Sequence, residues 1–199
     1  MIAETWIEVC DVSPDGADAH GRVSIAFEVD RVLEVQTPRG GLGGLRLRER
    51  RLAAPYSKDY DAIPGNRPCD WVWQFDVGNW GLLRAHRDGP EGPCVGGAVI
   101  AFKTPRLRML EDRKDLALLW DLRVAPEARR RGVGTSLFTA AEAWSSARGC
   151  RSLKVETQNV NVPACRFYAS RGCTLGALHR HAYPDFPDEV QLLWYKDLA

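Results

Sequence analysis

The stretch LALLWDLRVAPEARRRGVGTSLF (116–138) constrains the fold of this chain more than any other. Its first nine residues are strongly apolar, long enough for a strand at the centre of a sheet. Beyond them, Val133, Leu137, Ala140, Ala141 and Trp144 recur at helical spacing, so one face of a helix must be buried. Between strand and helix lies a tight turn that sets Arg129, Arg130 and Arg131 against Gly132 and Gly134. A strand that passes through a short turn into a helix leaves the first amides of that helix unpaired and pointing outward. Together with the helix dipole they form an anion site. Gly132 and Gly134 carry no Cβ, so a bulky diphosphate can approach the backbone of Val133, Gly134 and Thr135. The arginines add charge and forked donors. A solvated basic turn that binds nothing is the alternative, and a G-x-G alone does not decide between them.

The surrounding pattern is mixed α/β. NWGLLRAHRDGPEGPCVGGAVIAF reads as two strands joined by a turn at RDGPEG. SLKVET reads as a further strand after the helix. NVPACRFYASRG has Asn161 as N-cap, Pro163 in the first turn and Gly172 as terminator, and so predicts a short helix. CTLGALHRHAY and EVQLLWYKDL read as two closing strands around the acidic loop PDFPDE. The order hairpin, strand, helix, strand, helix, strand, strand gives a partly antiparallel sheet rather than a doubly wound array. Residues 1–45 read as a strand-like N-terminal extension of uncertain role, in which TWIEVC and RVSIAFEVDRVLEV alternate and SPDGADAHG breaks the pattern. TPRGGLGG reads as a flexible loop, and the polar run from LRLRERRL to AIPGNRP as partly helical.

With 199 residues the chain has room for one generous domain, or one domain with an N-terminal elaboration. A net charge of +1 supplies no global basic field, and no aromatic–basic interleaving accompanies the arginines, so no nucleic-acid partner is expected. MIAETWIEVC lacks a basic leader region and no apolar run reaches spanning length, so no membrane partner is expected. The six cysteines form no C-x-x-C pair and have no histidine at zinc-finger spacing. They read as reduced thiols of a cytoplasmic protein that holds no metal.

LRVAPEARRRGVG resembles the acetyl-CoA-binding signature of the GNAT N-acetyltransferases, a strand followed by R/Q-x-x-G-x-G/A and a helix. Arg129, Gly132 and Gly134 fall on the defining positions, and Arg130 stands where the family usually has glycine. VETQNVNVPACRFYASRGC resembles the family's next motif, N-x-x-A-x-x-x-Y-x-x-x-G-F. Asn161, Ala164, Tyr168 and Gly172 match it, and Cys173 replaces the phenylalanine. The resemblance covers residues 79–199 well, within an acetyltransferase domain of 46–199. ETQNVNVPACRFY and EVQLLWYKDL look closest to the streptothricin acetyltransferases, which acetylate an amine of a cationic antibiotic.

The resemblance implies a mixed α/β fold with a largely antiparallel central sheet flanked by helices, acetyl-CoA as cofactor, and direct attack of a primary amine on its thioester. The acceptor it implies is a small cationic molecule of the streptothricin type. Leu122 and Val124 would lend backbone groups to the pantetheine arm, and Asn161 would bond that arm, cap its helix, or do both. Tyr168 matches the family's general acid, with a hydrogen-bonded core tyrosine as the alternative. The base is read from the strands: Asp121 interrupts an apolar strand, where an unpaired carboxylate is costly. Glu156 ends the next strand. Each is base, amine anchor or paired structural carboxylate, with Asp121 preferred as base. Tyr56 and Tyr60, with Asp59 and Asp61, form one candidate wall for an ammonium, and Asp185, Asp188 and Glu189 another. Solvated loops would look the same. A protein lysine or N-terminus as acceptor, and a non-catalytic acyl-CoA sensor, remain as other readings, and a homodimer stays open.

Overall fold

The computed structural model describes residues 5–198. The first four residues, on which the leader reading rests in part, lie outside it. In chain order the elements are β1 (Thr5–Asp11), α1 (Pro14–Gly21), β2 (Phe27–Gln36), β3 (Arg46–Lys58), α2 (Pro68–Gln74), β4 (Gly81–Arg87), β5 (Cys94–Ala101), β6 (Leu116–Val124), α3 (Val133–Ser146), β7 (Ser152–Gln158), α4 (Val162–Ser170), β8 (Thr174–His179) and β9 (Gln191–Asp197). Seven strands form one sheet in the order β1-β4-β5-β6-β7-β9-β8, and β2 and β3 form a separate ribbon. The pairs β1–β4, β4–β5, β5–β6 and β8–β9 are antiparallel, whereas β6–β7 is parallel. The strand LALLWDLRV therefore occupies the middle of the sheet, as its apolar run predicts.

Contacts gather the chain into two compact units. The first comprises the described part of Met1–Ile25, Asp59–Val155 and Lys196–Ala199. On its sheet lies α3, whose Val133, Leu137, Phe138, Ala141, Trp144 and Ser145 are buried. Four of the five positions read from periodicity are among them, while Ala140 is half-buried. A fully buried leucine or phenylalanine such as Leu137 or Phe138 contributes roughly 1.5–3 kcal/mol. A second cluster of Trp71, Trp80, Leu82, Val99, Leu107, Leu110 and Leu118 holds α2 to the strands. The Trp80 indole N–H donates to Thr104 Oγ1 at 2.6 Å, which satisfies its buried polar edge.

The second unit comprises Ala26–Lys58 and Glu156–Tyr195. Val29, Val32 and Val160 form its small core, with Phe27 and Leu52 packed beside them. Asn159 is buried and doubly used: its Nδ2 donates to Leu33 O at 3.1 Å and its Oδ1 accepts from Val190 N at 2.7 Å.

Two expectations are corrected. SPDGADAHG is not a break: Pro14–Gly21 is helical, because Ser13 Oγ accepts from Gly16 N at 3.1 Å and Pro14 occupies the first turn. Of the run from LRLRERRL to AIPGNRP, only the single turn Tyr60–Ala62 is helical ahead of α2, and RLRERRLAAPYSK is extended. It is the long strand β3, paired from Gln36↔Arg46 to Phe27↔Lys58. Almost every β3 side chain is exposed, so alternation is hidden by charges that pair across the ribbon, Arg31 with Glu49 at 2.9 Å and Arg50 with Glu34.

Candidate active site

Within the first unit, β5 residues Val99 and Ile100 pair with Asp121 and Leu119, so Trp120 is an extra residue bulged out of β6. After the bulge the strand alternates. Asp121 and Arg123 are buried, whereas Leu122 and Val124 are half-buried on the other face. That spacing puts a carboxylate and a guanidinium side by side. Arg123 Nε and Nη2 donate to the two oxygens of Asp121, each at 2.8 Å. His20 Nε2, on α1, donates to Asp121 Oδ1 at 2.7 Å. Arg123 Nη1 reaches Asp61 Oδ2 at 2.8 Å and Val23 O at 3.1 Å. Burial alone would push the Asp121 carboxyl up; Arg123 and His20 outweigh it and hold it well below the usual carboxylate range. Burial would likewise lower Arg123, and Asp121 and Asp61 raise it instead. The network is tight enough that a Cβ on Gly97 would stand 2.5 Å from His20 Nδ1.

This geometry favours the paired-carboxylate reading of Asp121 over the base first preferred for it. A carboxylate held at both oxygens by a guanidinium in a dry site, with His20 as a third donor, is a poor proton acceptor. Arg123 was not singled out from the sequence, although a D-x-R spacing inside an apolar strand is its signature. Asp61 is likewise bound to Arg123, and Asp59 Oδ1 accepts from Asp61 N at 3.0 Å. Tyr60 opens the same short turn and is half-buried.

The arginine–glycine turn follows β6 directly. Arg129 is turned inward: its Nε donates to Val124 O at 2.9 Å and its Nη2 to Ser24 O at 3.2 Å. It shapes the loop, leaving Arg130 and Arg131 as the exposed charges. Arg130 sits at φ +59°, in the left-handed region where glycine is at home. Gly132 is the N-cap of α3 at φ +91° and offers no side-chain cap. The amides of the first turn of this 14-residue helix, from Val133 to Thr135, thus have no side chain closing them off. Donors, dipole and two guanidinium groups suit a diphosphate.

In the second unit, Glu156 lies on β7, two residues before its end at Gln158, and is half-buried. Tyr183 O–H donates to its Oε1 at 2.5 Å, and Gln191 Nε2 donates to its Oε2 at 2.7 Å. Asn161 Oδ1 accepts from Ala164 N at 3.1 Å, so the capping role read for it is present. Tyr168 is buried on α4 and meets Phe167 edge-to-face at 5.2 Å between ring centroids. The two acidic–aromatic walls part. Tyr56 comes together with Asp188 and Glu189: burial first, then those two charges, push its phenol up. Glu189 is buried and paired with Lys58 Nζ at 2.5 Å, while Asp185 and Asp188 are exposed. Lys58 Nζ also lies 3.8 Å from the centroid of the Phe186 ring. Cys165 is buried, which pushes its thiol up to about 11, and Cys173 is buried too, as packing residues are.

The chain matches the profile of the Acetyltransferase (GNAT) family over residues 49–173. It is 30% identical over 149 residues to streptothricin acetyltransferase A of Bacillus subtilis, across 74% of this chain and 76% of the relative. Its fold resembles that of nourseothricin acetyltransferase, with a TM-score of 0.73 and 24% identity over 97% of this chain and 99% of that one. It also resembles a Bacillus anthracis protein solved in complex with acetyl coenzyme A, with a TM-score of 0.70 and 20% identity over 96% of this chain and 99% of that one.

Proposed function

Because the chain belongs to the GNAT acetyltransferase family, we propose that it transfers an acetyl group from acetyl-CoA to a primary amine of a small cationic molecule of the streptothricin type. The observation that carries this reading is the uncapped first turn of α3 directly after a buried strand, with Arg130 and Arg131 exposed beside it. Val133, Gly134 and Thr135 would bind the diphosphate through backbone N–H groups, and Leu122 and Val124 the pantetheine arm. Bound there, acetyl-CoA supplies an activated acetyl thioester.

The protein's own residues supply the proton chemistry. A lysine-like ammonium must lose a proton before it can act as a nucleophile, which near neutral pH costs roughly 4–5 kcal/mol. Asp121 is committed to Arg123 and His20, so Glu156 takes the part of base or ammonium anchor. The Tyr168 hydroxyl donates a proton on the leaving side. Asp185 and Asp188, exposed on the loop before β9, with the phenol of Tyr56, hold the remaining positive charge of the acceptor. The likeness to streptothricin acetyltransferase A of Bacillus subtilis supports the acceptor class. Acetylation would remove one positive charge from such a drug.

The test is thiol release from acetyl-CoA against streptothricin, spermidine, aminoglycosides and lysine peptides, with the product weighed by mass spectrometry. The expected result is one added acetyl group on streptothricin at a far higher kcat/KM than on any peptide. Transfer to peptides alone would move the acceptor to proteins, and acetyl-CoA binding with no release would make the chain a sensor.

A further inference from the structure

We infer that Tyr183, which no motif in the sequence singles out, is a positioning residue that fixes Glu156 for the acceptor amine; the inference rests on the acetyltransferase reading of Glu156. The geometry is directional. Gln158 Nε2 donates into the phenol oxygen of Tyr183 at 3.0 Å, so the hydroxyl hydrogen is left to point at Glu156 Oε1, 2.5 Å away. Chains of this kind polarise one another and strengthen the terminal bond. Gln191 Nε2 holds the second carboxylate oxygen at 2.7 Å. Gln158 Nε2 also reaches Oε1 at 3.3 Å, so Glu156 is gripped at both oxygens and keeps acceptor capacity on Oε2 for an incoming ammonium.

The phenol cannot itself act as the base. Burial, and then the charge of Glu156, push it above the ordinary tyrosine value, so it stays a donor throughout the working range. Tyr183 also lies on the segment between β8 and β9 that carries Asp185 and Asp188. Phe186 N donates to Tyr183 O at 3.1 Å, which ties that segment to the same anchor. One residue thus holds the carboxylate through its hydroxyl and the segment that carries the outer acids through its backbone carbonyl.

A double-mutant cycle on the full chain separates positioning from mere stability. Tyr183→Phe removes one hydroxyl and keeps the ring. It should lower kcat with streptothricin by about tenfold to a hundredfold, the worth of a hydrogen bond to a charged group. KM for acetyl-CoA should not change. In a Glu156→Gln background the same substitution should cost nothing further. Gln191→Met, which removes the donor on the other oxygen, is the second arm and should repeat the pattern. Turnover of Tyr183→Phe within twofold of the unaltered chain, or an equal loss in the Glu156→Gln background, overturns the inference alone. An unaltered chain that releases no thiol with any amine instead overturns the acetyltransferase reading beneath it.

Discussion

Asp121→Asn is the substitution whose consequence follows most directly from the structure. The carboxylate accepts from Arg123 Nε and Nη2 at 2.8 Å each and from His20 Nε2 at 2.7 Å. Its side chain is 6% exposed and that of Arg123 is 0% exposed. Removing one partner of a buried ion pair costs about 3–5 kcal/mol, mostly because the other charge is left uncompensated. Arg123 keeps Asp61 and Val23 O, so the loss should fall near the lower end, at about 3 kcal/mol. For a chain of this length that is a fall in Tm of roughly 6–12 °C. The pH dependence has a definite sign. A carboxyl held low in the folded state contributes fully above its unfolded value near about 3.9 and loses that contribution as pH falls through the lowered folded value. The gap between the unaltered and Asp121→Asn proteins should therefore be constant from neutrality to mild acid and close below about pH 4. Urea melts across pH measure both quantities. A gap under about 1 kcal/mol at pH 7, or one that widens in acid, refutes the network as the source of stability. The rate per folded molecule should change by the same factor at every pH; selective rescue in alkali would return Asp121 to the part of base.

Tyr168→Phe should lower kcat by about a hundredfold or more while leaving acetyl-CoA affinity unchanged, read from initial rates and from titration of the cofactor. Arg130→Gly should be more stable than Arg130→Ala by about 1 kcal/mol in urea melts, because only the alanine keeps a Cβ at φ +59°. Equal stability would show that the turn is not strained. In native protein near neutral pH a disulfide reagent should label the exposed Cys94 promptly and Cys165 only on unfolding, since burial holds that thiol up at about 11. Prompt labelling of Cys165 would contradict its packing.

What could be read from the sequence was local. β6, the turn and α3 declare themselves because one apolar run, two glycines and a helical period lie within about thirty residues. Asn161 and Gly172 mark the ends of α4 by their own chemistry. What escaped was either unpatterned or distant. α1 has little apolar periodicity and is held by a capping serine; β3 hides its alternation under arginines that pair across the ribbon. His20 and Asp121 lie 101 residues apart, and Glu156 and Tyr183 lie 27 apart. No spacing rule brings such pairs together, although Asp121 and Arg123 on one strand face were legible in principle. The departure at Arg130 was visible as a broken motif, and its meaning came only with the backbone angle.

Calorimetric titration of acetyl-CoA into the unaltered chain and into Gly134→Trp tests the central claim most directly. Strong heat with the first and little with the second is the result predicted, because an indole would stand where the diphosphate meets the opening amides of α3. Equal heats from both, or none from the unaltered chain, would contradict it.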